Sequence, residues 1–165
     1  MNYTLKNTYG TLSVSDKFVN SCKVFTNLFE DTGNHDNSDP LIITNSYDID
    51  LVKRFVGFYD ELDALEVELD NGEIVSYLDY IVTYREEFIK NYTNMNREPP
   101  QSEKVMAIYQ NYTPETIQSF IKVDTFFDNE KLIRGIMLCI AVFMRIGDKD
   151  KINDCMETFM DLIQD

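Results

Sequence analysis

Apolar and polar positions alternate at the start of the chain and then change period. Leu12 and Val14 alternate with Thr11 and Ser13, and Tyr3–Leu5 precede them across Asn7-Thr8-Tyr9-Gly10. That pattern predicts a β-hairpin with Gly10 in its turn. From Phe18 onward Val19, Cys22, Phe25, Leu28 and Phe29 recur at steps of three and four, which gives one helical stripe that Ser15 or Asp16 can cap. A break inside that stretch would divide it into two short helices, and the spacing fits either arrangement. The polar run 32–40, with Gly33 and Pro40, is a loop. Leu41-Ile42-Ile43 reads as a short strand. Asn45 or Ser46 can cap a following helix with Ile49, Val52, Phe55, Val56 and Tyr59 on one face.

Residues 60–98 change character, with eleven acidic residues against three basic ones. Val67 to Val75 alternates around Asn71-Gly72, a hairpin signal, whereas Tyr77 to Tyr92 has helical spacing. Glu98-Pro99-Pro100-Gln101-Ser102 reads as a linker or turn. The whole of about 60–111 is expected to be an acidic insertion decorating a smaller fold. The C-terminal third is helical. Thr113, Pro114 and Glu115 supply a capping hydroxyl, a first-turn proline and an acid near the positive helix end, ahead of Ile117, Phe120, Ile121 and Phe126. Asp128 is expected to cap a second helix through Leu132, Ile136 and Phe143, apolar all round in its middle. Gly147-Asp148 ends that helix. A last one from about Asp150 carries Ile152, Met156, Phe159, Met160 and Ile163. That stripe must be buried on its own domain or on a partner.

Composition narrows the function classes. The 165 residues are 44% hydrophobic and 27% charged, a globular balance, and a chain of this length buries roughly 70% of its unfolded surface without staples. The net charge of −14 argues against nucleic acid and against anionic membrane surfaces, both of which require clustered Lys and Arg. The longest apolar run, Ile136 to Met144, is nine residues, short of a membrane span. Cys22, Cys139 and Cys155 lack paired spacing and sit among apolar residues, as buried small hydrophobes do. With no apolar leader, this implies an intracellular chain, cytoplasmic or nuclear. The glycosylation triplets at Asn2, Asn91 and Asn111 then read as chance.

Candidate chemistry is sparse. His35 is the only histidine, stands in a polar loop and has no second ligand at metal spacing. Histidine-based triads are excluded with it, and the six glycines are too dispersed for a phosphate loop. Adjacent carboxylates such as Asp60/Glu61 and Glu86/Glu87 point in different directions on a helix and lack an apolar wall to split their pKa values. Asp36-Asn37-Ser38-Asp39 lacks the glycine and distal glutamate of a calcium loop. No cofactor, metal or catalytic residue is expected.

The order of elements, with the residues at its joints, carries more meaning. Asp16 to Gly33, ending Phe29-Glu30-Asp31-Thr32-Gly33, followed by Asp39-Pro40-Leu41-Ile42-Ile43-Thr44-Asn45, Leu51 to Val56, and Ile117 to Ile146 with its Phe126-Phe127-Asp128 joint, resembles the Skp family of BTB/POZ-fold ubiquitin-ligase adaptors. The likeness covers residues 3–59 and 112–163. It implies an α+β BTB/POZ (Skp-like) fold, a small three-stranded sheet packed against helices with a C-terminal helical extension. It divides the chain into a BTB/POZ domain at 1–147 and a shortened receptor-binding helix at 148–165. The implied function is a non-enzymatic adaptor linking a cullin-type scaffold to F-box-type receptors. Ile42, Asp124, Thr125 and Phe126 would correspond to the cullin-type surface, and Ile152, Met156, Phe159, Met160 and Ile163 to the F-box-type surface. Thr125 stands where the family has asparagine and Phe126 where it has tyrosine. The alternative is a self-associating BTB module, a possible homodimer, or a decoy that holds one ligase component unproductively. From the residues alone Phe126 fits core packing as well as partner contact.

Overall fold

A computed structural model describes residues 2–34, 36–83 and 101–134 of the chain. The structure is mixed α+β. Its described elements are β1 Asn2–Asn7, β2 Gly10–Ser15, α1 Asp16–Ser21, α2 Lys23–Thr32, β3 Leu41–Ile42, α3 Ile49–Asp63, β4 Glu66–Glu68, β5 Ile74–Ser76, α4 Tyr77–Thr83, α5 Ser102–Gln110 and α6 Pro114–Phe127. The chain divides into two compact units, Met1–Asp60 with Lys122–Glu130, and Glu61–Ile121 with Lys131–Asp165.

In the first unit β1 and β2 form the expected antiparallel hairpin, with Tyr3 opposite Val14 and Leu5 opposite Leu12. Strand β3 joins the other side of β1 in parallel, giving the order β2-β1-β3. Alternation decides the faces: Tyr3, Leu5 and Val14 are buried, while Lys6, Thr11 and Ser13 face solvent. Asn7 is the buried polar residue that holds the hairpin end. Its Oδ1 accepts from the Tyr9 amide at 2.9 Å, and its Nδ2 donates to the Tyr47 carbonyl at 2.9 Å and the Thr44 carbonyl at 3.3 Å. Asn45 does not cap a helix. Its Oδ1 accepts from the Thr8 amide at 2.8 Å, and the cap of α3 is Asp48, whose Oδ1 accepts from Asp50 N at 2.8 Å.

The stripe from Phe18 to Phe29 is two helices. Ser15 caps α1, accepting from the Phe18 amide at 3.2 Å. Cys22 then leaves the helix with φ −96° and ψ 118° and pairs as an isolated bridge with Asn129. Periodicity carries through the break because only one residue departs from helical geometry. Gly33, at φ 66°, closes α2 by donating to the Phe29 carbonyl at 2.8 Å, a left-handed cap that glycine adopts without a Cβ penalty.

An aromatic cluster forms the middle of this unit. Phe127 stacks on Phe55 with ring centroids 5.4 Å apart, and meets Phe18 at 5.7 Å and Phe25 at 5.8 Å. Phe18 also sits edge-on to Tyr59 at 5.2 Å. Ser21 gives its proton to the Lys17 carbonyl, so the Tyr59 hydroxyl donates to Ser21 Oγ across 3.0 Å. The ring is thereby fixed at both its apolar and its polar end.

The second unit contains the acidic hairpin. Val67 pairs with Val75, and Gly72 takes φ 86° in the turn. Ser76 Oγ then accepts from the Asp79 amide at the start of α4, whose Tyr77, Leu78, Tyr80 and Ile81 are buried. The linker reading of 98–102 ends at Ser102, where α5 begins. Val105, Ile108 and Tyr109 stand at helical spacing in SEKVMAIYQ, a short stripe that the linker reading did not include. Thr113 caps α6 as expected, its Oγ1 accepting from Thr116 N at 3.2 Å. Tyr112 donates to Glu61 at 3.1 Å and lies edge-on to Phe120.

Asp128 has a different task from the expected one. It does not cap a following helix: with φ 53° it closes α6, its amide donating to the Asp124 carbonyl at 2.7 Å. The helical turn after it starts at Glu130. The expected continuation of the 77–92 helix past Thr83, His35, Cys139, Cys155, the apolar helix centred on 136–144 and the terminal helix with Ile152, Met156, Phe159, Met160 and Ile163 lie outside the described residues.

Candidate protein-interaction surface

The residues proposed for the first partner surface lie on β3 and on the last turn of α6, both in the first unit. On β3 the alternation is forced by its neighbours. Leu41 and Ile43 are buried, so Ile42 points outward and is 70% exposed. Ile43 donates its amide to the Lys6 carbonyl at 2.9 Å, which continues the parallel ladder one residue past the strand. The connection after β3 reaches α6 through Tyr47, whose hydroxyl donates to the Lys122 carbonyl at 2.9 Å.

Helical phase sorts the end of α6 into two faces. Val123, Asp124 and Phe127 are buried, while Lys122 and Thr125 are exposed and Phe126 is half-buried. Lys122, Thr125 and Phe126 are three and four apart, so they share the outward face. Thr125 keeps its own hydroxyl occupied by donating to the Lys122 carbonyl at 2.6 Å, the same acceptor Tyr47 uses. What this face offers is therefore the Lys122 side chain, the Thr125 methyl and the Phe126 ring, which sits edge-on to Phe127 at 5.1 Å.

Asp124 is not on that face. Its carboxylate turns inward, and Oδ1 accepts from the Asn129 amide at 3.1 Å. Around it the chain is tied twice to the break between α1 and α2: Lys23 donates its amide to the Asp128 carbonyl at 3.1 Å, and Asn129 Nδ2 contacts Cys22 Sγ at 3.6 Å. Burial pushes the Asp124 carboxyl up to about 7. The hydrogen bond from the Asn129 backbone opposes that shift, and the negative charge of Asp128 adds to it. Burial likewise drives the Cys22 thiol far above its ordinary range, with the Asp124 charge adding to the effect. Such a thiol is neither nucleophile nor ligand. Asp124 is thus a positioning residue for the turn that carries Thr125 and Phe126.

Sequence reasoning missed Tyr47, Asn129 and Asn7, the polar residues that hold this region together. Asn7 ends β1, Tyr47 lies in the connection from β3 to α3, and Asn129 follows α6, places where side chains can satisfy backbone groups left over from neighbouring elements. Among the described residues no group of three His, Cys, Asp or Glu side chains could hold a metal ion, and no helix is long and apolar enough to cross a membrane. No family model matches the chain, and neither a curated protein nor a solved structure matches it.

Proposed function

We propose that the chain is a non-enzymatic adaptor of the Skp-like BTB/POZ type, with one surface for a cullin-type scaffold and a terminal helix for F-box-type receptors. The observation that carries the reading is the first unit's topology. A hairpin, a broken helix pair, a short strand parallel to β1 and a helix follow one another in the order on which the resemblance rests, with the sheet ordered β2-β1-β3. The outward setting of Ile42, Thr125 and Phe126 supports their use as partner contacts. Asp124 takes part only by holding the turn beneath them.

The test is a titration of the full chain against a purified cullin-type scaffold and, separately, against an F-box-type receptor. Ile42→Asp and Phe126→Asp are expected to weaken scaffold binding about tenfold or more, the effect of losing a central interface contact, and to leave receptor binding intact. Phe159→Asp is expected to do the reverse. Absence of binding to either partner by the intact chain would overturn the adaptor reading.

A further inference from the structure

We infer that the outer edge of β4, with the groove beside it, receives an extended cationic segment of another protein as an added antiparallel strand. The site lies wholly within the second unit and does not rest on the adaptor reading. The ladder of the acidic hairpin fixes which backbone groups are offered. Tyr77 donates its amide to the Leu65 carbonyl at 2.7 Å, and Leu69 donates to the Glu73 carbonyl at 2.8 Å. With Val67 opposite Val75 between them, residues 65, 67 and 69 turn their backbone groups toward β5. Opposed pairs alternate between bonded and non-bonded in an antiparallel ladder, so Glu66 and Glu68 point theirs away from it. Gln101 agrees with that direction, because its Nε2 donates to the Glu66 carbonyl from outside the hairpin. One side-chain amide thus already stands where an incoming strand would place an N–H. The Glu66 amide and both backbone groups of Glu68 meet no hydrogen-bond partner among the described residues.

Beside this edge is a groove of about 390 Å³, lined by Leu65, Glu66, Glu68, Ile74, Gln101 and Lys104. Alternation buries Val67 and Leu69 and leaves Glu66, Glu68 and Ile74 exposed. Ile74 stands opposite Glu68 and gives the groove an apolar surface next to the two carboxylates. Gln101 takes φ 61°, a left-handed backbone that a non-glycine residue adopts at a cost. Its carbonyl accepts from the Val105 amide at the start of α5, which ties the far wall to the residue that reaches β4. Charge selects the occupant. Six of the sixteen residues from Glu61 to Ser76 are acidic and none is basic. Among the described residues Lys104 is the one cation lining the groove. A second copy would set Glu66 against Glu68 along this edge, and like charges directly opposite one another destabilise a pair. Nucleic acid is excluded by the same carboxylates. An antiparallel strand with lysine or arginine at alternate positions sets a cation opposite each glutamate, and its backbone takes the groups left over.

Three free backbone groups make a short seam, so a Kd on the order of 100 μM is expected. The experiment is an amide-resolved NMR titration of the isotope-labelled full chain with the peptide acetyl-TKVKVT-amide at about 150 mM salt. Saturable shifts are expected at the Glu66 and Glu68 amides. Glu66→Gln combined with Glu68→Gln is expected to weaken binding by about fivefold to tenfold. Glu30→Gln combined with Asp31→Asn removes the same charge from the exposed side of α2 and should change it by less than about twofold. N-methylation of the two lysine amides keeps the peptide's charge and order but removes its pairing donors, and is expected to abolish the shifts. Absence of shifts at Glu66 and Glu68 up to about 2 mM peptide overturns the proposal. Equal weakening by the two double variants, or undiminished binding of the methylated peptide, overturns it as well and leaves only diffuse attraction to an acidic surface.

Discussion

Replacing Asp124 by asparagine should stabilise the protein at and above neutral pH. Asparagine keeps an oxygen to accept the Asn129 amide and removes a carboxylate that burial disfavours. In the folded chain this group titrates at about 7, against 3.8 for an ordinary aspartate. The sign follows from which state binds the proton more tightly. Between pH 3.8 and about 7 the folded state holds a proton that the unfolded chain has released, so stability falls as pH rises through this window. The penalty is absent below the window and complete above it. At about 1.4 kcal/mol per pH unit a shift of this size amounts to about 4 kcal/mol, an upper bound because the turn relaxes around the charge. Urea unfolding of wild type and Asp124→Asn at a series of pH values from about 5 to about 8.5 measures it. The expected difference is already present in part at pH 5, inside the window, and grows to its full value of between about 1 and 4 kcal/mol in the variant's favour by pH 8. His35 and the remaining carboxylates are common to both proteins, so the difference isolates position 124. A variant no more stable than wild type at pH 8, with parallel profiles, would refute the account of a buried charge at this turn.

Phe127→Ala should cost about 3–5 kcal/mol, read by the same unfolding measurement, because it removes a ring packed against Phe18, Phe25 and Phe55. Phe126→Ala, on a half-buried ring, should cost under about 1.5 kcal/mol, and equal losses at the two positions would contradict the helical phase described above. Asn7→Ala should cost about 2 kcal/mol by leaving the Tyr47 and Thr44 carbonyls without their donor, whereas a loss no larger than that of an exposed Asn37→Ala control would show those bonds to be dispensable. With Cys139 and Cys155 replaced by serine, Cys22 should react with a thiol reagent at pH 8 only as fast as the chain unfolds. A rate that does not change with denaturant would contradict its burial.

Where a residue's partners lie close in sequence, the pattern of the chain was enough to read them. The β1–β2 hairpin, the turn at Asn71-Gly72 and the Thr113 cap each depend on residues within a few positions of one another, and all three are present. What the pattern left open or misplaced has other causes. Whether the stripe breaks at Cys22 was left open by the spacing, and the break is tied to residue 129, more than a hundred positions away, which pairs with it. Asn45 was expected to cap a helix, yet it reaches back to Thr8, and Asp48 takes over the capping. Asp128 carries a good capping side chain, but the left-handed closure of α6 uses its backbone first. At the candidate surface the resemblance pointed to residues 124–126 but carried nothing of their phase. The i, i+3, i+4 stripe of α6 fits more than one rotation until Phe127, rather than Phe126, is seen within the aromatic cluster.

That one-residue phase connects stability with the proposed partner surface. With Phe127 inside, Val123 and Asp124 follow it inward and Thr125 with Phe126 are turned out. A joint shaped for stability alone would have asparagine at 124, which accepts the same amide without a buried charge. The aspartate instead leaves a group titrating near neutrality within a closed turn, adjacent in sequence to the outward pair and hydrogen-bonded to the segment that meets the α1–α2 break. That carboxylate lies beneath the surface proposed to meet a partner and acts there only through the hydrogen bond it accepts from the Asn129 amide. Asp124→Asn should therefore strengthen the fold and, if the turn's geometry is what the partner reads, leave scaffold binding unchanged.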